Sequence, residues 1–339
     1  MRLVIINLGR HGGTTRFGAE LANALNQQHE VLYIQSAQAD YAVPCKTVTI
    51  KTGSSGLENL KQSFNPLNYY KISKALQLHK PDWIIYPSYH AWNPSISCLT
   101  HTPKVQIVHD PISHPGNQYS IHRALELTNC QLSSKILVLS KTFISWHKTF
   151  FKKTKAISHG GFDLNQPYLP PPHAKKLLLI GRMEAYQGLS LFEKAYPLIK
   201  LAHPDAQITI AGRNATSSIS EATVLHKWLT DKEIVELIQG HDLIVTPYTS
   251  ATQSGIIAQA QSLGRAVVTT NVGGLPEQIV HNLTGLVCEP HQVNLSAAIN
   301  SLLSQPNRLT EMSLNAYELY QNKYNWNIIS TQVIQALAP

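Results

Sequence analysis

Residues 247–277 read PYTSATQSGIIAQAQSLGRAVVTTNVGGLPE, and the order of residue types in them is the clearest indication of the fold class. A polar run, residues 249–255, leads directly into a segment with apolar residues at helical spacing, and a β-branched run follows it. A second glycine turn, VGGLPE at 272–277, comes one strand later. Loop, helix, strand and glycine turn in this order are typical of a parallel α/β sheet whose ligands bind beyond the carboxyl ends of the strands.

The same alternation of strands and helices extends over the whole chain. It begins with the apolar run RLVIINL at 2–8 and starts again with KLLLIGR at 176–182. Between the two series lies DLNQPYLPPPHAKK, residues 163–176, which has four prolines and is the predicted linker. We therefore predict an α/β chain of two doubly wound, Rossmann-like domains that face each other across a cleft. The predicted bounds are 1–165 and 166–323, and a C-terminal helix at 324–339 is expected to pack back on the first domain.

Composition limits the class of protein. The 339 residues carry a net charge of +8. Residues 1–165 hold 17 Lys/Arg and 8 Asp/Glu, which gives a net charge of +9. Residues 166–339 hold 11 Lys/Arg and 12 Asp/Glu, which gives a net charge of −1. The four cysteines are scattered without a CxxC pair, which favours reduced thiols in a cytoplasmic protein and argues against a zinc site. The first residues predict a buried strand rather than a signal peptide, and a run long enough to span a membrane is lacking.

An excess of basic residues in the first domain predicts an anionic partner there. Residues 143–155, FISWHKTFFKKTK, interleave four aromatic side chains with four lysines, which suits an interfacial helix or loop on an anionic membrane. The alternative is an ordinary surface helix whose aromatic side chains are buried. Nucleic acid is a less favoured partner because the sequence contains no recognised nucleic-acid-binding module.

Polar and glycine-rich loops after the predicted strands are the candidate site. Thr252, Gln253, Ser254 and Gly255 open a helix, where backbone amides and the helix dipole attract anions, although Ser254 could be a simple N-cap. GRMEAYQG at 181–188 places an arginine after a strand, where a guanidinium can bridge two phosphate oxygens.

Two loops of the first domain complete the candidate site. NLGRHGGTT at 7–15 contributes Gly12 and Gly13, and VHDP at 108–111 contributes His109 at a strand end. The first loop is neither a good dinucleotide fingerprint nor a Walker loop, which disfavours NAD and P-loop chemistry.

Taken together, these motifs resemble glycosyltransferase family 4, of the retaining GT-B kind, over almost the whole chain. The segments that carry the resemblance are HGG, VHD, VLSK, SHGGFD, GRMEAYQG, ITIAG, LTDKEI, DLIVTPY, GRAVVTTNVGGLPEQI and a tail helix opening with Trp326. The resemblance implies that the second domain binds a UDP-sugar or GDP-sugar and the first domain a glycan or polyprenyl-diphosphate-linked acceptor. It also implies that no metal and no cofactor is needed.

The resemblance also implies roles for single residues. Arg182, Gln187 and the loop 252–255, with Gly12 and Gly13, would hold the donor diphosphate and sugar. Arg213 and Gln259 would hold the nucleoside, and His109 and Arg182 would be catalytic.

Three positions depart from the family pattern. Ala251 and Gln259 stand where the family commonly has two glutamates, and Gln187 stands where it usually has lysine. The sequence ATQSG resembles a branch of the family that lacks the first glutamate. The predicted function is hexosyl transfer from a nucleotide sugar in cell-surface polysaccharide biosynthesis, in the cytoplasm or on the inner face of the membrane. Two rivals stay open: a catalytically silent GT-B subunit and a sugar-nucleotide epimerase.

Overall fold

The chain forms two compact units. The computed structural model describes residues 1–112, 121–162 and 166–338. One unit comprises Met1–Ser158 with Trp326–Pro339, and the other is His159–Asn325. The boundary falls after Ser158, before the predicted position at 165, because residues 159–162 pack within the second unit, where Phe162 donates its N–H to Gln259.

The first unit is built on a seven-stranded sheet in the order β3-β2-β1-β4-β5-β6-β7, and every paired strand is parallel. Its strands are β1 Arg2–Asn7, β2 Glu30–Ser36, β3 Lys46–Ile50, β4 Trp83–Tyr86, β5 Lys104–Val108, β6 Lys135–Val138 and β7 Thr154–Ala156. Its helices are α1 Gly13–Leu25, α2 Gly56–Ser63, α3 Pro66–His79, α4 Asn93–Ser97 and α5 Ile121–Leu132. The strand order reverses direction between β1 and β4, which makes that pair the switch point of the sheet.

The second unit repeats the plan with six parallel strands in the order β10-β9-β8-β11-β12-β13. Its strands are β8 Lys176–Ile180, β9 Gln207–Gly212, β10 Thr223–His226, β11 Leu243–Thr246, β12 Ala266–Thr270 and β13 Gly285–Cys288. Its helices are α6 Leu189–Ala202, α7 Asp231–Gln239, α8 Gly255–Ser262, α9 Gln292–Leu303 and α10 Pro306–Leu319. Here the switch point lies between β8 and β11.

Both sheets are covered on both faces, which explains their almost uninterrupted apolar strands. Along β1, Leu3 and Ile5 pack into the cluster that contains Leu21 of α1. The alternate residues Val4 and Ile6 pack into a second cluster on the other face, together with residues of α3. The second unit has the same pair of clusters, one on each side of its sheet.

The chain's last helix, α11 Trp326–Leu337, belongs to the first unit. Trp326 stands edge-on to Phe17 of α1 with their ring centroids 4.9 Å apart, and Gln332 accepts the N–H of Ser158 at 2.8 Å. The predicted C-terminal helix at 324–339 is thus observed from Trp326 onward. Before it, α10 ends with a π-helical turn, Tyr320–Tyr324, and an extended Asn325 that redirects the chain.

The proline-rich segment predicted as a linker is fixed to the second unit, as far as residues 166–176 show; residues 163–165 lie outside the described chain. The Asp242 carboxylate accepts backbone N–H groups of three residues of the segment: His173, Ala174 and Lys176. The fully buried Arg265 donates to the carbonyls of Leu169 and Pro170, and burial lowers its pKa to about 10.

Residues 143–155, for which we predicted an interfacial helix or loop, form no α-helix. One 3₁₀ turn ends at Phe143 and a second spans Phe151–Lys153. Phe143 and Phe150 are buried in a cluster beneath β5 and β6, whereas Phe151 is exposed and Trp146 is half-buried. Two of the four aromatic side chains are thus buried, as in the alternative, but the segment is not the surface helix that the alternative assumed.

The ammonium of Lys153 in this segment caps a helix. It donates to the carbonyls of Cys130, at 2.8 Å, and Ser133, at 2.8 Å, at the carboxyl end of α5, and it lies over the Phe150 ring. Partial burial lowers its pKa. No helix in the described residues is both long and apolar enough to cross a bilayer.

Replacement of Lys153 should therefore destabilise the first unit. Lys153→Met keeps the apolar stem on Phe150 but leaves the last carbonyls of α5 without their cation, so we expect a loss of about 1–2 kcal/mol. The shift in the midpoint of thermal unfolding measures this loss of stability. The matched control is Lys152→Met, the exposed neighbour, which should leave the midpoint unchanged. Equal midpoints for the two variants would contradict the capping role.

Candidate functional site

The loops after β8 and β11 meet at the switch point of the second sheet. Gly188 ends the first loop with φ +74°, and a Cβ there would lie 1.8 Å from the carbonyl oxygen of Pro247 in the second loop. Thr249 donates its N–H to the carbonyl of Tyr186 at 2.8 Å. The two motifs GRMEAYQG and PYTSATQSG thus form one structural feature, at the position where α/β sheets bind ligands.

Arg182 follows the carboxyl end of β8 and is exposed. Its Nη2 donates to the hydroxyl of Tyr186 at 3.0 Å, which orients the guanidinium along the loop. The second exposed arginine predicted in the site, Arg213, directly follows β9, the strand next to β8. Both cations therefore lie at the carboxyl edge of this sheet, where α/β sheets bind ligands.

Gln187 is buried, and its amide is used inside the loop. The Oε1 atom accepts the N–H of Glu184 at 3.0 Å, and Nε2 donates to the hydroxyl of Tyr248 at 3.0 Å. The side chain closes a capping box with Glu184 rather than presenting itself as a ligand for a diphosphate. The structure therefore assigns to Gln187 a role in holding the loop, in place of the predicted contact.

Tyr248 is a site residue that sequence reasoning missed. Its buried hydroxyl lies between Gln187 Nε2 and Ser254 Oγ, the latter donating at 3.5 Å, and burial raises its pKa. It thereby connects the loop after β8 with the start of α8. An aromatic residue with a polar tip, placed directly after a buried strand, was the available signal.

The amino end of α8 differs in detail from the prediction. Ser254 is the N-cap residue, but its side chain makes no capping hydrogen bond. Its backbone N–H, which we predicted to face an anion, instead donates to Gln278 Oε1 at 2.8 Å, and Gln278 Nε2 donates back to the Ser254 carbonyl at 2.9 Å. The amides available to a ligand therefore begin at Gly255, the first residue of the helix.

The residues around this helix start are polar and enclosed. Thr252 is buried, and Gln253 is half-buried with an Oε1 atom that has no hydrogen-bond partner among the described residues. A Cβ on Gly255 would lie 3.6 Å from the ring of His159, which is an ordinary contact distance. An orphaned acceptor beside the first amides of a helix is suited to a ligand that carries hydroxyl groups and negative charge.

Gln259 does not occupy the predicted nucleoside-binding role. It is buried, its Oε1 accepts the N–H of Phe162 at 3.0 Å, and its Nε2 faces the Phe162 carbonyl at 3.5 Å. Ala251, the other position where the family commonly has glutamate, is buried in an apolar cluster. Neither position offers a polar group to a ligand in this structure.

In the first unit, Gly12 and Gly13 lie after β1, beside the switch point. Gly12 is the N-cap of α1 with φ 89°, a conformation that favours glycine, and Gly13 is the first helical residue. Asn7 at the end of β1 donates to the Thr15 carbonyl at 2.8 Å and so fixes the helix start. This loop is the second helix amino end at a switch point in the chain.

His109 follows β5 and is almost fully buried. Its Nε2 lies 2.9 Å from the carbonyl oxygen of Pro87, which can only accept, so the proton of the neutral ring is on Nε2. Burial lowers the pKa, with smaller opposing effects from the Pro87 hydrogen bond and Asp110. The ring is therefore a neutral group whose Nδ1 is an acceptor.

Among the described residues, no group of three or more His, Cys, Asp or Glu could hold a metal ion.

Residues 174–305 match the family model described as Glycosyl transferases group 1. Glycogen synthase of Mycobacterium tuberculosis is 27% identical over 171 residues, which are 47% of this chain and 41% of that protein. The chain thus spans about two fifths of this mycobacterial relative. An uncharacterised glycosyltransferase of Methanocaldococcus jannaschii is 24% identical over 298 residues, which are 78% of this chain and 75% of that protein.

Among solved structures, HepE of Anabaena in complex with UDP and glucose superposes with a TM-score of 0.74 at 15% identity, over 99% of both chains. The two-domain GT-B fold predicted from the sequence is therefore confirmed. The predicted family resemblance is confirmed as well, with the family model on residues 174–305 of the second unit. The sequence similarity to glycosyltransferases thus lies in residues 174–305 for the family model and extends over 298 residues for the Methanocaldococcus jannaschii protein.

The buried position of Gln187 changes what a lysine there should do. Judged by the family pattern alone, Gln187→Lys restores a positive charge and should maintain donor affinity. In the structure, lysine has no acceptor for the Glu184 N–H and would place an ammonium next to Tyr248. We expect a loss of stability of about 1–3 kcal/mol, measured by thermal unfolding. The control is Gln77→Lys on the exposed side of α3; equal stability of both variants would show that Gln187 does not hold the loop.

The neutral state of His109 predicts a pH dependence of stability. The unfolded histidine takes up a proton near pH 6.5, whereas the buried ring resists it, so stability is lost as the pH falls below about 6.5. His109→Asn should show a smaller loss of unfolding free energy than the wild type between pH 7.5 and pH 5, in urea titrations. The exposed His101 provides the control substitution, His101→Asn. A slope that is the same in all three proteins would contradict the assignment.

Proposed function

We propose that the protein is a retaining glycosyltransferase that moves a sugar from a nucleoside-diphosphate sugar to a glycan or lipid-linked acceptor in cell-surface polysaccharide assembly. The observation that carries this proposal is the joined pair of loops at the switch point between β8 and β11. These loops lie within the residues that match the family model, and they place an exposed arginine and a helix amino end at one sheet edge.

In this proposal the donor diphosphate is held by charge and helix amides. Arg182 supplies a planar cation that can bridge two phosphate oxygens, and the first amides of α8, from Gly255 onward, add the positive end of the helix dipole. The side chain of Thr252 and the orphaned Oε1 of Gln253 then form hydrogen bonds with the sugar hydroxyls. The exposed Arg213 is the remaining candidate for the nucleoside, since Gln259 is committed to Phe162.

Catalysis in this scheme is mainly electrostatic. As the glycosidic bond to the diphosphate breaks, negative charge grows on the leaving group, and donors that are already oriented stabilise it without reorganising. For retention, the acceptor hydroxyl approaches on the face that the diphosphate leaves, and the departing diphosphate takes its proton. Such a reaction needs no protein nucleophile and no metal. We assign His109 a place by the donor sugar as a neutral acceptor.

The donor is proposed to be a UDP-sugar, with a GDP-sugar as the alternative. HepE of Anabaena, which shares the fold, was solved in complex with UDP-glucose, and this supports uridine. The acceptor is proposed to be a polyprenyl-diphosphate-linked or other membrane-associated glycan. The +9 charge of residues 1–165 is the supporting feature, and it suits work at the cytoplasmic face of a membrane.

A catalytically silent GT-B subunit that binds a glycan or a partner enzyme is the second candidate. Two observations favour it. Ala251 is buried in an apolar cluster, and Gln187 contributes no charge and is bonded within its own loop. The two functions differ in whether the protein releases a nucleotide from any donor.

The test is a donor panel scored by nucleotide release, with Arg182→Ala as the internal control for the site. We expect release from one class of UDP-sugar in the presence of a glycan acceptor. Because Arg182→Ala removes a charge-assisted contact with the donor, it should weaken donor binding or raise the reaction barrier by at least ~2 kcal/mol. The melting temperature should stay unchanged. Arg308→Ala, a surface arginine of the same unit bonded to Asn282, is the matched control.

Three results would count against these assignments. Wild-type donor affinity in Arg182→Ala would remove that residue from the site. Donor binding without release across the panel would favour the silent subunit. Absence of nucleotide-sugar binding, in a protein with a normal melting transition, would contradict the proposed function as a whole.

A further inference from the structure

Helix α2 and its C-cap residue bury little of their apolar surface. None of the residues of α2 is buried. Leu57 is 83% exposed, Leu60 59% and Phe64, the C-cap residue, 79%. Their spacing of three and four residues puts them on one side of the helix. A contiguous group of large exposed apolar side chains is the usual mark of an interaction surface.

Helix α3 extends this surface from a firmly packed base. Its inner side carries Ile72 and Leu76 in the core of the first unit, whereas Leu67 is 65% exposed and Tyr70 62% exposed on its outer side. Asn68 is buried and donates to the carbonyl of Lys51 at 3.1 Å, which ties the preceding loop to α3. We call Leu57, Leu60, Phe64, Leu67 and Tyr70, with their neighbouring lysines, the α2–α3 face.

The α2–α3 face is strongly basic. Residues 51–80 contain five lysines and one acidic residue, so the formal charge is 5 − 1 = +4. All five lysines are exposed, and Lys61, Lys71 and Lys74 lie on the two helices themselves. The single acid, Glu58, accepts hydrogen bonds from Ser54, which lower its pKa. Exposed apolar side chains together with a net positive charge match a partner that is apolar inside and anionic at its surface.

We propose that the α2–α3 face docks onto an anionic lipid bilayer. Leu57, Leu60, Phe64 and Leu67 enter the interface below the headgroups, and the lysines contact lipid phosphates. Charge complementarity selects this partner over a second copy of the chain, because a symmetric contact would bring the same lysines together. The proposal concerns binding alone and stands independently of the transferase reaction. It assigns the surface to α2 and α3 instead of residues 143–155, where Phe143 and Phe150 are buried.

The test measures co-sedimentation of the full chain with vesicles of phosphatidylcholine, with and without phosphatidylglycerol. Wild type should bind the anionic vesicles and only weakly the zwitterionic ones, with binding falling as salt rises because the surface field is screened. Two triple variants probe the face: Leu57→Ser with Leu60→Ser and Phe64→Ser, and Lys61→Ser with Lys71→Ser and Lys74→Ser. Each should weaken partitioning by at least ~10-fold. All six side chains are exposed, so the melting temperature should change little.

The matched control is Lys148→Ser with Lys152→Ser and Lys155→Ser. It makes the same change in net charge at exposed positions of the first unit and should retain most of the binding. The proposal is overturned by equal losses in the two lysine variants, by unchanged binding of the leucine–phenylalanine variant, or by absence of wild-type binding to anionic vesicles. A wild-type dimer in light scattering that the leucine–phenylalanine variant dissociates would assign the face to a second copy instead. Because vesicle binding needs no donor or acceptor, failure here is distinct from failure of the proposed reaction.

Discussion

The close approach of Gly188 to the carbonyl of Pro247 is the constraint on which the second unit's site depends. With no side chain at Gly188 and a positive φ, the loop after β8 can lie directly against the loop after β11. Gln187, fixed one residue earlier, then reaches the hydroxyl of Tyr248. Through Tyr248 the contact extends to Ser254 and the start of α8. The positions of Arg182 and of the first amides of α8 relative to one another follow from this contact between the two loops.

The sequence predicted most of the architecture because the relevant information is local. Buried parallel strands appear as short apolar runs, and ligand-facing loops follow them as glycines and polar residues, so β1, β8 and β11 with their loops were all placed correctly. The strands that were not predicted are β7, β10 and β13. All three end their sheets, where one neighbouring strand is absent and the apolar pattern is weaker.

Side-chain partners were the part that could not be predicted. Gln187 pairs with a hydroxyl 61 positions away, and Gln259 with a backbone segment 97 positions away, so neither pairing leaves a local pattern. The same holds for the aromatic residues of 143–155, whose burial depends on how the segment folds against β5 and β6. The leucines of α2 show the converse relation, since they have helical apolar spacing and yet are exposed. Spacing identifies a face but does not determine what covers it.

The membership of α11 in the first unit has a consequence for biosynthesis. The second unit is a continuous stretch of chain, and its two ends meet, because the hydroxyl of Tyr320 donates to the carbonyl of Gly161 at 3.4 Å. The first unit is interrupted by that stretch and is completed by α11, which the ribosome makes after the second unit. During translation, the second unit can therefore reach its native packing first, while Phe17 and its neighbours on α1 stay uncovered until Trp326 emerges. Order of synthesis and order of folding are thus opposed in this chain: the part that begins first is finished last.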